Sequence, residues 1–218
     1  MKALAFSFAL LAGAGLAAVA SAQPPGPPPG PQPPNLIDMP GAAGKAHLTV
    51  TSADIKPNTL IPQDNSAYGK SLSPQVTWTK GPASTKSYIV ALEDADAHTG
   101  TPDVPITHWV AFNIPAATTS LPGGLPPQGT ATPPAGFTFG RNIARQNAYF
   151  GPRTPPKTTH HYHLEVLAID TTVPLMEGAT RADIARAIQG HVVGTGEVVG
   201  LFTGPDTAPP PAAPPAAK

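Results

Sequence analysis

Carboxylates and imidazoles gather in this chain where apolar runs end. Glu93-Asp94-Ala95-Asp96-Ala97-His98 follows the apolar run Tyr88 to Leu92, so Asp94 and Asp96 stand at the end of a strand. After a Gly/Pro-rich loop, Ile106-Thr107-His108-Trp109-Val110-Ala111-Phe112-Asn113-Ile114-Pro115 opens the next strand with a histidine and a tryptophan. Polar groups at strand ends beside a loop are where a fold puts a pocket. A third stretch, His160-His161-Tyr162-His163-Leu164-Glu165, adds further imidazoles. Strand alternation puts His160 and Tyr162 on one face, and His161, His163 and Glu165 on the other.

These residue types suit a small anion. A neutral histidine donates one hydrogen bond and a tyrosine hydroxyl another, and the Gly151 amide can approach closely because it has no side chain. Each charge-assisted bond is worth about 1.5–3 kcal/mol net. Two or three, less the cost of immobilising the ligand, imply a Kd of about millimolar to micromolar. Asp94 has the wrong sign for such a site. It is expected to hold His108 or His160 as imidazolium, or to share a proton with the bound oxygen, since a nearby carboxylate raises a histidine's pKa and a nearby anion raises a carboxylate's. Phosphate binding should then strengthen as pH falls from about 8 toward 6. Plainer readings stand beside these. Asp94 and Asp96 also fit a strand end capping a turn. Trp78 and Trp109 read as core. His161, His163 and Glu165 could converge on zinc, but read rather as a solvated face, so no metal is expected.

The elements that must position these groups are mostly strands. His47 to Ser52 alternates apolar and polar residues and is β-branched. Leu60-Ile61-Pro62 is a short extended piece. Ser73 to Trp78 is a strand with Pro74 at its first residue or on an edge. Ser87 to Leu92 and Trp109 to Ile114 are apolar on both faces, as buried strands are. Pro115 to Phe139 reads as a long surface connection, a kind that is more often functional or mobile than filler. His161 to Ile169 and Gly196 to Thr203 complete the strands. One helix is clear: Thr180 can cap it with Asp183 three residues on, and Ile184, Ala187, Ile188 and His191 share a face. Gly190 would end it. This balance predicts a mainly β protein, a two-sheet antiparallel sandwich with one C-terminal helix.

The ends read differently. Residues 1–22 begin with Lys2, run through an apolar stretch and finish Ala20-Ser21-Ala22, the pattern of a secretory signal peptide. Cleavage would leave Gln23 first and no transmembrane span, in a secreted or periplasmic protein. Residues 23–45 and 204–218 are rich in proline and read as solvated spacers, leaving 46–203 as the domain. There is no cysteine, so stability must come from a hydrophobic core; about 160 residues suffice for one. With 13 Lys and Arg against 13 Asp and Glu, and no basic run, the chain is a poor candidate for nucleic acid.

Several motifs in order resemble one family. Ser73-Pro74 with Trp78, Asp94-Ala95-Asp96-Ala97-His98, His108-Trp109-Val110 with Asn113-Ile114-Pro115, Tyr149-Phe150-Gly151-Pro152 with Pro155-Pro156, and His160-His161-Tyr162 resemble the phosphatidylethanolamine-binding protein family in its bacterial, Raf-kinase-inhibitor-like branch. The resemblance implies a pocket at one end of the sandwich for anions such as phosphate or for a phospholipid head group. It would be lined by Asp94, Ala97, His108, Gly151, Pro152, His160 and Tyr162, with Asp96 orienting the loop. Ala95 and His98 replace the signature prolines, so the loop is less rigid and an imidazole stands in place of an apolar ring. Thr154 replaces the first proline of the Pro-Pro pair, and His161 the usual arginine. The expected function is binding without catalysis and without a cofactor. The alternative is an inhibitor or regulator that meets a partner enzyme through the pocket mouth and loops. A hydrolase ranks last, since there is no Gly-x-Ser-x-Gly, cysteine or His-Glu-x-x-His.

Overall fold

The apolar runs become the long central strands of a six-stranded sheet. In the computed structural model, which describes residues 34–39, 41–42, 45–98, 104–125 and 136–207, the elements are β1 (Ala46–His47), β2 (Val50–Thr51), β3 (Val76–Trp78), β4 (Ser87–His98), β5 (Pro105–Pro115), β6 (Ser120–Leu121), β7 (Thr138–Phe139), β8 (Thr159–Ile169), α1 (Arg181–Ala187) and β9 (Val192–Thr203). The expected signal peptide, the start of the first proline-rich stretch and the tail from residue 208 lie outside the described residues. The large sheet has the order β1-β9-β8-β4-β5-β7, and a small sheet has the order β2-β3-β6. The protein is thus mainly β, with two sheets and one α-helix among the described residues. Pairing between these strands is antiparallel except that β1 runs parallel to β9, and Leu60 and Pro156 add isolated parallel bridges to Leu201 and Gly204.

Alternation along the central strands sends side chains into two apolar layers. Tyr88, Val90, Leu92, Trp109, Tyr162, Leu164 and Val166 join Val50, Val76, Trp78 and Leu121 of the small sheet in one cluster. Ile89, Ala91, Val110, Phe112, Leu167 and Ile169 face the other way, against Ile184, Ala185 and Ile188 of the helix region. Burial on both faces explains why these runs lack a polar side. Both tryptophans are core.

Four expectations need correction. The run from His47 to Ser52 is not one strand: residues 46–47 pair with β9, Leu48 enters the core, and residues 50–51 pair with β3. The chain can cross β9 this closely only because Gly196 has no side chain; a Cβ there would lie 2.0 Å from the Leu48 carbonyl oxygen. The stretch 115–139 is not all surface loop, since β6 and β7 within it extend the two sheets. His191 lies beyond the helix, exposed, with its Nδ1 2.8 Å from Asp170 Oδ1.

The fourth correction concerns the proline-rich spacer and the face taken as solvated. Leu36 and Ala42 are buried in the helix-side layer. The Leu36 N–H donates to Glu93 Oε2 at 2.9 Å, and the Ile37 N–H to Glu165 Oε2 at 3.1 Å. Glu93 and Glu165 are wholly buried. A segment too rich in proline for a sheet ladder still has N–H groups to offer, and two of them meet carboxylates that need partners. Arg181, placed at the helix start by the Thr180–Asp183 capping box, adds a two-pronged contact to Glu93, Nε to Oε1 at 2.6 Å and Nη2 to Oε2 at 3.3 Å. Thr107 Oγ1 donates to the same carboxylate. Burial, with Glu93 and Glu197 nearby, pushes the Glu165 carboxyl well above the usual range.

Breaking a buried ion pair leaves the remaining charge uncompensated, at about 3–5 kcal/mol. Arg181→Ala is therefore expected to lower unfolding stability by about that amount in urea titration, while Arg186→Ala, on the exposed side of the same helix, should change it by less than about 1 kcal/mol.

Candidate functional site

The register of three strands assembles the site. Asp94 of β4 stands opposite Tyr162 of β8 and Ile106 of β5. On β5, Trp109 pairs with Leu92 and Thr107 with Glu93, which leaves His108 as an extra residue. This β-bulge turns the His108 ring to the Trp109 side of the sheet, where it meets the Tyr162 ring edge-on at 5.2 Å and stacks on Phe150 at 5.9 Å. β4 is also irregular between Asp94 and His98. Asp94 and Ala97 therefore face a cavity, while Asp96 turns to the opposite face.

The cavity has a volume of about 340 Å³ and is lined by Asp94, Ala97, Ile106, His108, Ile143, Ala144, Phe150, Arg153, Pro155 and His160. Mostly apolar walls with a few convergent polar groups are the usual form of a small-molecule site. Asp94 Oδ2 lies 2.8 Å from His160 Nδ1, and Asp94 Oδ1 accepts the Asp96 N–H at 3.0 Å. Of the two histidines expected to pair with Asp94, it is His160 that does.

His108 is arranged differently. Its Nδ1 faces two carbonyl oxygens, of Phe150 at 2.9 Å and Gly151 at 3.1 Å. Both can only accept, so Nδ1 carries the proton and Nε2 of the neutral ring is an acceptor. Burial pulls its pKa below the usual histidine value; the two carbonyls and Asp94 oppose this but do not outweigh it.

Three of the expected lining residues stand behind the wall. The Gly151 amide does not reach into the cavity, because its N–H donates to Ser71 Oγ at 2.8 Å. Gly151 is required for a different reason: a Cβ would lie 2.4 Å from the Asn65 carbonyl oxygen. The Pro152 carbonyl accepts the Ala67 N–H. The Tyr162 hydroxyl shares a 2.9 Å hydrogen bond with Thr154 Oγ1; burial, then the Asp94 charge, push its pKa far up, so it stays neutral. Tyr162 serves as a floor beneath His108. Asp96 accepts from the His161 N–H at 2.6 Å, and its Oδ2 lies 2.8 Å from His161 Nδ1. Burial raises the Asp96 carboxyl, but these contacts outweigh it and hold it below the usual aspartate value. The backbone of His98 closes β4 opposite Pro105, while the expectation for its imidazole lies outside the described residues. Sequence reasoning missed Arg153, the lone cation of the stretch from Phe150 to Pro156, which was the available signal.

Residues 51–203 match the family profile described as phosphatidylethanolamine-binding protein. A UPF0098 protein of Pyrococcus horikoshii is 37% identical over 164 residues, 74% of this chain and 79% of that one. The UPF0098 protein YbcL of Escherichia coli is 31% identical over 169 residues, 74% of this chain and 90% of its own. The crystal structure of YbcL, described as a new member of the mammalian PEBP family, matches with a TM-score of 0.65 over 72% of this chain and 99% of that one. A homologue from Chlamydia trachomatis matches at 0.60 with 26% identity, over 73% and 98%.

The depressed His108 pKa fixes a sign for stability. The folded ring resists a proton that the unfolded ring takes up near pH 6.5, so its stabilising effect is present above that pH and fades as pH falls through the folded value. In His108→Gln the amide can still donate to the two carbonyls. The difference in Tm between the wild type and His108→Gln is expected to move against the wild type as pH drops from 7.5 to 5, followed by thermal melts in phosphate-free buffer.

Proposed function

Because the chain belongs to the phosphatidylethanolamine-binding protein family, we propose that it is a binding protein. Its ligand is a phosphate-type anion, free or within a phospholipid head group, held in the cavity beside His108 at one end of a sandwich formed by the two sheets. The convergence of Asp94, His108, Arg153 and His160 on one cavity carries this reading. Arg153 supplies a permanent positive charge at an exposed rim. His160, held through Nδ1 by Asp94, has Nε2 left to donate when the ring is charged. Asp94 acts behind His160, orienting the ring through its contact with Nδ1. His108 Nε2 accepts from a donor on the ligand, either a protonated phosphate oxygen or the ammonium of a head group.

Binding without turnover fits the same arrangement. Among the described residues no hydroxyl or thiol side chain lines the cavity; the nearby hydroxyls of Tyr162 and Thr154 bond to each other. Export belongs to the reading as well and rests on Lys2, the apolar run after it and Ala20-Ser21-Ala22. Intact-mass measurement of the expressed protein should find a chain starting at Gln23, and an unprocessed Met1 chain would remove export from the reading.

Calorimetric titration with inorganic phosphate and with phosphoethanolamine, at pH 6 and pH 8, tests the binding. Affinity should be higher at pH 6. Arg153→Ala and His160→Ala should each weaken binding by about 10- to 100-fold, the worth of one charge-assisted hydrogen bond. A preference for phosphoethanolamine would mark a head-group site, and equal affinity a site for the phosphate alone. Affinity that is flat with pH and unchanged in both variants would overturn the reading, as would phosphate release from phosphoethanolamine.

A further inference from the structure

On the face of the large sheet away from the cavity, three potential metal ligands meet. Glu165 of β8 stands directly opposite Glu197 of β9, and His163 lies two residues before Glu165 on the same face. One ligand atom from each, an imidazole nitrogen and two carboxylate oxygens, falls within 4.8 Å of the others. Side-by-side carboxylates on neighbouring strands repel. Here one of the pair is wholly buried, where an uncompensated charge costs most.

Glu165 carries a second, independent sign. Its Oε2 accepts the Ile37 N–H, but its Oε1 is shut off from solvent and has no hydrogen-bond partner among the described residues. Buried carboxylate oxygens are rarely left so. Neighbouring cations do not supply the missing partner. Arg181 is engaged by Glu93 and the Pro34 carbonyl, and His163 Nδ1 lies 2.8 Å from Glu197 Oε2. With Arg181 taken up by Glu93, His163 is the basic side chain that stands beside Glu165 and Glu197.

We propose that His163, Glu165 and Glu197 form a binding site for one divalent transition-metal cation, of the zinc class. One nitrogen and two oxygens make a donor set of intermediate softness, suited to zinc, whose bonds to such ligands run about 2.0–2.2 Å. Magnesium and calcium prefer all-oxygen shells. The cation would supply the buried Oε1 with its partner and bridge the opposed carboxylates. Access comes from the surface, where His163 and Glu197 are both partly exposed. An open groove of about 480 Å³ beside His163 is walled by Asp38 and Asp96, whose charges favour the approach of a cation. The Ile37 N–H holds Glu165 from behind, as hydrogen bonds to metal-bound carboxylates commonly do. The site would therefore tie the segment around residue 37 to the sheet.

Calorimetry on the full chain, stripped with EDTA and titrated with zinc chloride, tests this, with magnesium chloride as a parallel arm. One zinc per chain and a rise in Tm are expected, and no saturable magnesium binding. Removing a partner of a metal ligand already costs about 10- to 100-fold in affinity, so His163→Gln and Glu165→Gln should each lose at least about tenfold. His161→Gln should bind as the wild type does. Glu165→Gln should fold without zinc, since the amide keeps the size and shape of the side chain and carries no charge; if it fails to fold, the partly exposed His163→Gln decides alone. Zinc bound as tightly by His163→Gln, lost instead in His161→Gln, or not bound in a saturable way by the wild type, would overturn the proposal.

Discussion

The register between β4 and β8 decides which side of the sheet each charge occupies. Asp94 opposite Tyr162 sends Asp94 and His160 to the cavity side. Glu93 opposite His163 sends Glu93, His163 and Glu165 to the helix side. Because strand side chains alternate, a slip of one residue would exchange the two sets. It would drive Glu93 toward the apolar layer around Trp109 and leave Arg181 facing a gap. The apolar partners on each face make that slip costly, since Leu92 and Leu164 would leave one core just as Ala91 and Glu165 left the other. The bulge at His108 shifts the β5 register against β4 by one residue between Leu92 and Glu93, and so adds a ring to the cavity side while Thr107 stays with Glu93 on the helix side.

The helix-side charges in turn organise what covers them. Burying a carboxylate is least costly when several donors surround it. Glu93 draws donors from three places: the Leu36 N–H, Thr107 of β5 and Arg181 at the start of α1. Those contacts fix where the N-terminal segment crosses the sheet and how the helix begins. Asn113 adds a second tie of the same kind. Its backbone takes a left-handed conformation, and its amide both donates to and accepts from the Val173 backbone, at 2.9 and 2.8 Å. The connection between β8 and α1 is thereby held to β5. Polar groups thus locate the covering segments, and apolar contact holds them once placed.

Much of this was legible in the sequence, for identifiable reasons. Long apolar runs at Tyr88, Trp109 and Leu164 mark strands buried on both faces, and Thr180 with Asp183 marks a helix start, because both signals are local. The convergence of Asp94, His108 and His160 followed from motif order and strand alternation. What stayed hidden depended on distant partners. The division of residues 46–51 between two sheets depends on the close pass over Gly196. The bulge at His108 shows only in the pairing, and Gly151 reads as an open amide until Ser71 is seen to take it. The burial of Leu36 was masked by composition: proline argues against a strand or helix, not against a side chain docked in a core. Glu165 read as solvent-facing because alternation gives the face but not what lies on it.

On the proposed reading, a carboxylate beside an anionic ligand looks contradictory until its partners are counted. Asp94 is nearly inaccessible, with one oxygen at His160 and the other at the Asp96 N–H. A ligand in the cavity would meet the far side of a paired imidazole rather than a bare negative charge. His108 acts in the opposite sense, because its proton is committed to the Phe150 and Gly151 carbonyls and Nε2 is left as an acceptor. On the proposed reading, a good ligand must accept hydrogen bonds from Arg153 and His160 and also bring a donor of its own. Hydrogen phosphate has such a donor in its remaining O–H, and an ethanolamine head group has one in its ammonium. Sulfate, equal in charge and shape but without a proton near neutral pH, would leave His108 Nε2 unpaired in a partly desolvated site, where an unmet polar group is costly. Selectivity among anions would then come from the neutral acceptor that His108 places in the wall, and affinity from Arg153 and His160.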